Sequence, residues 1–401
     1  MSDKTFAENY YRKSALVTKI FKYITVFLFI VFLISCIVIF RRDITVQNIQ
    51  LLAKYFSLEG SSSNYSDEFS VSCSDDCIPI MLRDNLGVID KNNISLYDLS
   101  GQKLFSFNYA YSAPAVVYDN HSILVYDVKG TELSLFNSFS KLKNMSFDGG
   151  ISCADINENS FAVVYRDDSN RSVLSVYDFS STDNDYLEVF KFSTSSAFLT
   201  SVALSDNSRY VLTTGTESKG GNYSSTVMVY DSLSSSVDPL FSTEIVGELP
   251  IHSGFADNTN SLFVVTDSGI LFFDFSLEQS SYFKFNQSKI DNFYIGDDLI
   301  VVSERNNLAG NSMLLTGISK GGDIIFKMNV QDQICDICFG KNSIFALGKN
   351  DVFKIDFSYD GTNSVKSATV NEKYHHIVAD TDNNCYILND TIANKVIFNE
   401  G

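Results

Sequence analysis

Carboxylates, seven cysteines and four histidines are the side chains of this 401-residue chain that could do chemistry, and their spacing limits what each can do. The stretch ADTDNNCYIL, Ala379 to Leu388, places oxygen-bearing side chains at Asp380, Asp382 and Asn384, the alternation with which a calcium loop begins. An EF-hand loop needs glycine at its sixth position and a bidentate glutamate at its twelfth, and here those positions hold Cys385 and Thr391. The same plan recurs in ADINENSFAV from Ala154, ALSDNSRYVL from Ala203 and ADNTNSLFVV from Ala256. Each copy leads from an apolar entry through a short polar cluster to an aromatic residue at the eighth place: Phe161, Tyr210, Phe263 and Tyr386. That is strand, turn, strand, and the stretch reads as a turn in a repeat.

The cysteines and histidines form no convincing ligand set. Cys335 and Cys338 have zinc-like spacing, but QICDICFG reads as the first strand of a repeat unit, in which residues three apart point to opposite faces. Cys73 and Cys77 flank a short loop and are placed to form a disulfide outside the cell, while Cys153 and Cys385 read as buried small residues. His375 and His376 are adjacent in a strand and diverge; His121 and His252 stand alone and read as structural. There is no G-x-S-x-G, no H-E-x-x-H and no Walker loop, since GTESKGG, Gly215 to Gly221, lacks the spacing and the Ser/Thr after lysine. No catalytic residue, metal set or cofactor is assigned. A site of two or three carboxylates stays open as the enzymatic alternative, because 48 acidic residues neither exclude nor single out such a group.

The elements that carry these residues are repeated. ISLYDLSG from Ile94, LSVYDFSS from Leu174, VMVYDSLS from Val227, ILFFDFSL from Ile270 and VFKIDFSY from Val352 each end a β-branched and aromatic run in an aspartate: Asp98, Asp178, Asp231, Asp274 and Asp356. Two wide gaps halve if LSLFN, ending at Asn137, and MLLTG, ending at Gly317, are admitted as degenerate copies. Aspartate suits the position because its carboxylate accepts backbone N–H bonds two residues on and so closes a hairpin, with Gly101 supplying a left-handed turn residue in the first copy. A period of roughly 40 residues with four short strands per unit is the signature of a β-propeller. The fold class is therefore all-β, a propeller of eight four-stranded blades or alternatively seven, preceded by one N-terminal transmembrane α-helix. Eight requires that FSVSCS, Phe69 to Ser74, cross the chain to supply the outer strand missing from the last phrase, which runs from Tyr374. With 33 Phe, 21 Tyr and four prolines, the composition supplies stacked sheets with a large core. The absence of Trp argues against tryptophan-docked quinoprotein propellers and WD-type blades.

The N-terminus differs. Ile24 to Phe40 carries no charge, and with Ile20, Phe21 and a snorkelling Lys22 the apolar stretch Ile20 to Phe40 is long enough for a bilayer. Five basic residues precede Ile24, and Arg41 and Arg42 follow Phe40, which predicts a cytoplasmic N-terminus and an extracytoplasmic propeller held by a signal anchor. LISC, Leu33 to Cys36, resembles a lipobox, and lipidation of Cys36 is the competing form of tether. The organisation is then residues 1–19 cytoplasmic, 20–40 transmembrane, 41–68 linker and 69–401 propeller. Of the net charge of −18, the first 42 residues hold +5 and the remainder −23, which repels phosphate backbones and makes nucleic acid an unsuitable partner.

A four-stranded meander puts its second turns and inter-blade links at one end of the ring. The longest predicted second turns are RDDSNR from Arg166, TESKGGNYSS from Thr216 and SERNNLAGNS from Ser303, so Arg166, Arg171, Lys219, Tyr223 and Arg305 form the candidate binding face for an envelope protein or peptide. The basic start, the apolar span, ITVQNIQ after it, a Ser/Gly stretch, then DNLGVIDKNNISLYDLSGQKLFSF, SILVYDVKG and SVALSDNSRYVLTTG resemble the uncharacterised single-span, propeller-containing proteins of clostridial bacteria. That resemblance implies location and fold and carries over no catalytic residue. The expected role is a non-catalytic binding or scaffolding module in the bacterial cell envelope. The alternatives are a carboxylate-dependent envelope hydrolase or lyase with its site in the central channel, and a lipidated assembly factor.

Overall fold

A computed structural model describes residues 18–32, 35 and 67–398, except 75, 83, 139, 180–185, 235, 257–259, 275–278, 307–310 and 358–362. Residues 18–32 are helical, and Phe21, Phe27, Phe29 and Phe32 are exposed around that helix. No helix among the described residues is long and apolar enough to cross a membrane. The rest of the expected span to Phe40, Cys36 of the candidate lipobox, and nearly all of the 41–68 linker lie outside the described residues.

The second unit is a ring of eight four-stranded antiparallel sheets among the described residues, which decides for eight blades over seven. Blade 1 spans Ile78 to Asn108, blade 2 Pro114 to Ser146, blade 3 Ile151 to Thr194 and blade 4 Phe198 to Val246. Blade 5 spans Pro250 to Lys284, blade 6 Ile290 to Val330 and blade 7 Ile334 to Thr369. Blade 8 combines three strands between His376 and Lys395 with a fourth from the other end of the domain, Glu68–Ser70. Glu68 pairs with Asn394, Phe69 with Ala393 and Ser70 with Ile392. Two more bonds extend the seam: Val71 N–H donates to the Thr391 carbonyl at 2.9 Å and Cys73 N–H to the Asp390 carbonyl at 3.1 Å. The closing strand foreseen as Phe69 to Ser74 is thus real, and its regular part is shorter.

Burial follows position within a blade. The second strand is apolar on both faces, as in Ser160–Tyr165 and Ser343–Gly348, because each sheet is packed between two others. Outer strands alternate, as in Lys141–Ser146, with one side in water. Eight buried apolar clusters each join two consecutive blades. The cluster that completes the circle contains Phe69, Leu86 and Tyr97 from the N-terminal side and Val378, Tyr386 and Leu388 from blade 8.

The aspartate position recurs as expected, with one correction. Asp98, Asn137, Asp178, Asp231, Asp274 and Asp356 each end a third strand opposite the first residue of the second strand. Asp98 Oδ1 accepts from the N–H groups of Ser100 (2.9 Å) and Gln102 (2.8 Å), and Asp231 Oδ1 from Leu233 N–H (3.0 Å). In blade 6 the equivalent residue is Ser319, opposite Leu299, and not Gly317. Ser319 Oγ accepts from Asp323 N–H at 3.0 Å, so a hydroxyl does the turn-closing there, while Gly317 lies inside the strand where a Cβ would collide with the Phe326 ring. The eighth-place aromatics also fail to share one position: Phe161 is second in its strand, Tyr210 first and Phe263 third. The preceding turns differ in length, and alternation sends Tyr210 and Phe263 toward the following blade but Phe161 toward the preceding one.

Gly101 joins turn chemistry to ring closure. Its φ is +85°, and a Cβ there would lie 2.6 Å from Cβ of Phe69 on the closing strand. Phe69→Ala should cost about 3–5 kcal/mol in denaturant unfolding, the range for emptying a buried phenylalanine site. Gly101→Ala should destabilise by more than about 1 kcal/mol through the left-handed backbone and the crowding together. An unfolding midpoint unchanged in both variants would contradict closure by this strand.

Candidate functional site

Inner strands and first turns of seven blades line one cavity of about 1380 Å³ at the centre of the ring. First turns are polar for a local reason: the chain reverses there, and short oxygen-bearing side chains close the reversal. Carboxylates from six blades reach the lining, against the ammonium groups of Lys320 and Lys341. The mouth is acidic, with Glu158, Asp206, Asp297 and Asp298 exposed.

Deeper carboxylates are engaged by the backbone. Asp119 Oδ1 accepts from His121 N–H (2.7 Å) and Ser122 N–H (2.8 Å). Asp380 accepts from the backbone N–H and side-chain amide of Asn384, both at 2.8 Å. The stretch ADTDNN is therefore a first turn whose aspartate is buried and occupied, as the repeat reading expects. Asp155 and Asp336 do a second job. The innermost strand of each blade has one edge without a strand partner, and these side chains reach across to it: Asp155 Oδ2 accepts from Leu204 N–H of blade 4 at 2.7 Å, and Asp336 Oδ2 from Ile377 N–H of blade 8 at 3.1 Å.

Electrostatics follow from this burial. Withdrawal from water pushes the Asp155 carboxyl up to about 6, against the lowering pull of two backbone N–H groups and Lys320. His252 keeps an exposed side, but desolvation by the protein crowded around it, with Lys320 nearby, pushes it down to about 4. The Tyr118 side chain of blade 2 is 48% exposed, yet the protein surrounding it desolvates the hydroxyl and, with Asp297 of blade 6, raises it to about 12. Blades 2 and 6 are opposite one another in the ring, so this ring reaches into the middle of the cavity.

The predicted binding face lies at the other end of the blades. RDDSNR is a second turn between strands ending at Tyr165 and beginning at Ser172, and brings Arg166 and Arg171 together on blade 3. Arg171 stacks over the Phe198 ring at 5.0 Å and donates to the Ser196 carbonyl at 3.4 Å, so its guanidinium bridges toward blade 4. TESKGGNYSS is not an enlarged loop. Its strands pair as far as Lys219 with Asn222, leaving a two-residue turn at Gly220 and Gly221 with φ of +61° and +87°. Tyr223 is exposed on that hairpin, and the Lys219 side chain lies outside the described residues. Arg305 is on blade 6, in an ion pair with Asp291. Two blades bring four of the five residues to neighbouring hairpins, and Arg305 stands apart from them.

Cys335 is exposed in a bulge and Cys338 lies further along the same strand with its thiol pushed up by burial, so the zinc-like spacing gives no pair. Cys385 is buried as expected, whereas Cys153 is only half-buried because it lies on an inner strand. Cys73 and Cys77 are joined by a disulfide, Cα to Cα 5.5 Å. Sequence reasoning missed what lies beside it: both sulfurs and a ring nitrogen of His376 fall within 4.8 Å of one another. No local signal could show this, since ring closure alone brings those segments together.

The chain belongs to a family of unknown function, DUF5711, whose model matches residues 61–397. Among solved structures it is similar to Sqt1 from Saccharomyces cerevisiae, with a TM-score of 0.54 and 10% identity over 82% of this chain and 98% of that one. It is also similar to BamB from Moraxella catarrhalis, with a TM-score of 0.49 and 12% identity over 81% and 98%. Likeness at these identities concerns fold alone. No curated protein sequence matches the chain.

The raised Asp155 value has a sign that can be measured. Below the ordinary value of 3.8 both folded and unfolded states hold the proton; between 3.8 and about 6 only the folded state does; above that the fold carries a buried charge. Stability should therefore drain away as pH rises across that window. Asp155→Asn, which keeps an acceptor for Leu204 N–H, should be more stable than the parent at neutral pH and equal to it in acid, by urea unfolding at each pH. A difference independent of pH would refute the assignment.

Proposed function

We propose that the protein is a non-catalytic binding or scaffolding module of the bacterial cell envelope, tethered by Ile20 to Phe40 and presenting its ring outside the cytoplasmic membrane. The observation that carries the non-catalytic part is the engagement of the deep carboxylates: Asp155, Asp336 and Asp380 hold turns and unpaired strand edges, so they are committed to shape. The exposed carboxylates at the mouth then act as a recognition surface that favours cationic groups. Arg166, Arg171 and Tyr223 offer a second surface at the opposite turns for a protein partner.

The tether rests on chemistry of the N-terminal helix. A helix with phenylalanines exposed around its circumference is stable in an apolar surrounding, and residues 18–32 present such a surface. The positive excess before residue 24 supports the orientation.

One observation favours a catalytic reading. Asp155 holds its proton nearer neutrality than an ordinary aspartate and faces the cavity with Lys320, a combination suited to general acid work. Asp155→Asn separates the two, because it would abolish turnover of a carboxylate hydrolase and leave partner capture intact.

Crosslinking the full-length protein in its own membrane, followed by pull-down, should recover a discrete partner whose yield falls at least several-fold on charge reversal at Arg166 and Arg171 or at Asp297 and Asp298. Protease added to cells stripped of their wall should cleave the ring domain, and removal of residues 20–40 should release it from membranes. A ring domain shielded from that protease would overturn the placement; equal capture by all variants would overturn both surfaces.

A further inference from the structure

The seam that closes the ring contains a constellation the proposed function does not use. The strand Glu68–Ser70 pairs along blade 8, and the chain then runs on to Cys73 and Cys77, both 3% exposed. They meet His376 at the start of the innermost strand of the same blade. Nδ1 of His376 faces Asp336 Oδ2 at 3.8 Å, and Nε2 is buried with no hydrogen-bond partner. A buried imidazole nitrogen without a partner is a standing cost in a packed wall, unless something binds its lone pair.

We propose that Cys73, Cys77 and His376 are the protein ligands of a thiolate-preferring divalent metal ion of the zinc class, held when the Cys73–Cys77 disulfide is open. The spacing is C-x₃-C, within the range used by zinc sites, and the set is of two sulfurs and one imidazole. Both sulfurs lie within 4.8 Å of a ring nitrogen of His376, and once the disulfide opens the two sulfurs need only part from bonding distance to the roughly 3.5–4 Å that bonds of about 2.0–2.3 Å impose on a tetrahedral shell. Asp336 is placed as the carboxylate behind the histidine. Its Oδ1 is anchored by Ile337 N–H at 2.8 Å and its Oδ2 by Ile377 N–H at 3.1 Å, so it would fix the imidazole orientation and leave Nε2 to the metal. Cys77 and His376 both line the central cavity, so a fourth ligand position is supplied by water or a small ligand from that side.

The chemistry balances with a dithiol as reductant. Its thiolate attacks one sulfur of the disulfide to give a mixed disulfide, and its second thiol displaces the other half. Two electrons and two protons pass to the protein, leaving Cys73 and Cys77 as thiols and the reductant as its own disulfide. The incoming ion then displaces two thiol protons. Disulfide and metal are alternative occupants of one site, so the seam is closed either by a covalent link or by a metal clip.

The test uses the full-length chain, reduced with a dithiol, freed of reductant without oxygen, and titrated with Co²⁺ and then Zn²⁺. One Co²⁺ should bind with thiolate-to-cobalt charge-transfer absorption, two protons should be released, and Zn²⁺ should bleach the spectrum. The oxidised protein should show none of this. His376→Ala should weaken binding at least tenfold and Asp336→Asn by about 10–100-fold, whereas Cys335→Ser should bind as the parent does. Should a variant fail to fold, zinc-edge X-ray absorption of the unmodified reduced protein decides, with two sulfur neighbours expected. A first shell of oxygen and nitrogen only, a charge-transfer band that survives Cys77→Ser, or a disulfide that the dithiol leaves closed would each overturn the site.

Discussion

Closure of the ring by one short antiparallel pairing is the constraint on which the rest depends. An eight-bladed ring that stopped one strand short would leave blade 8 with an open edge and the cluster between blades 8 and 1 without Phe69. Every other inter-blade cluster is built from segments adjacent in sequence, so only this one must wait for the two ends of the domain to meet. The packing of Phe69 against Gly101 shows how tightly the solution is made, because the closing strand comes so near the third turn of blade 1 that no side chain fits there.

Closure also explains the polar centre. Eight inner strands each offer an edge with unpaired backbone groups, and in a ring those edges converge. Buried N–H groups need acceptors, and Asp155 and Asp336 provide them across blade boundaries. The acidity of the cavity is thus partly an architectural product. The mouth, where Glu158, Asp206 and Asp297 are exposed, is where charge is available for recognition.

Much of the architecture was legible because it is local. The run ending in aspartate marks a third strand in five blades, since a hairpin turn needs a short acceptor and a strand needs β-branched and aromatic residues. The degenerate copy in blade 6 misled by two residues because Ser319 performs the aspartate's task without resembling it. TESKGGNYSS was legible as a departure from the repeat but not as paired strand, for its Ser/Thr content suits either. Long-range facts were hidden for a different reason. That Asp336 serves blade 8, or that Cys77 meets His376, depends on which blades become neighbours, and nothing in the local composition around those residues encodes it.

The order in which the seam is made bears on how such a chain reaches its folded form. Synthesis delivers Glu68 long before its partner residues near Asn394, with the first seven blades made in between. Throughout elongation the first-made strand has no mate, and the nascent blades form an arc with two sticky flanks. Final assembly of the ring therefore takes place once, when both halves of the joint are present together.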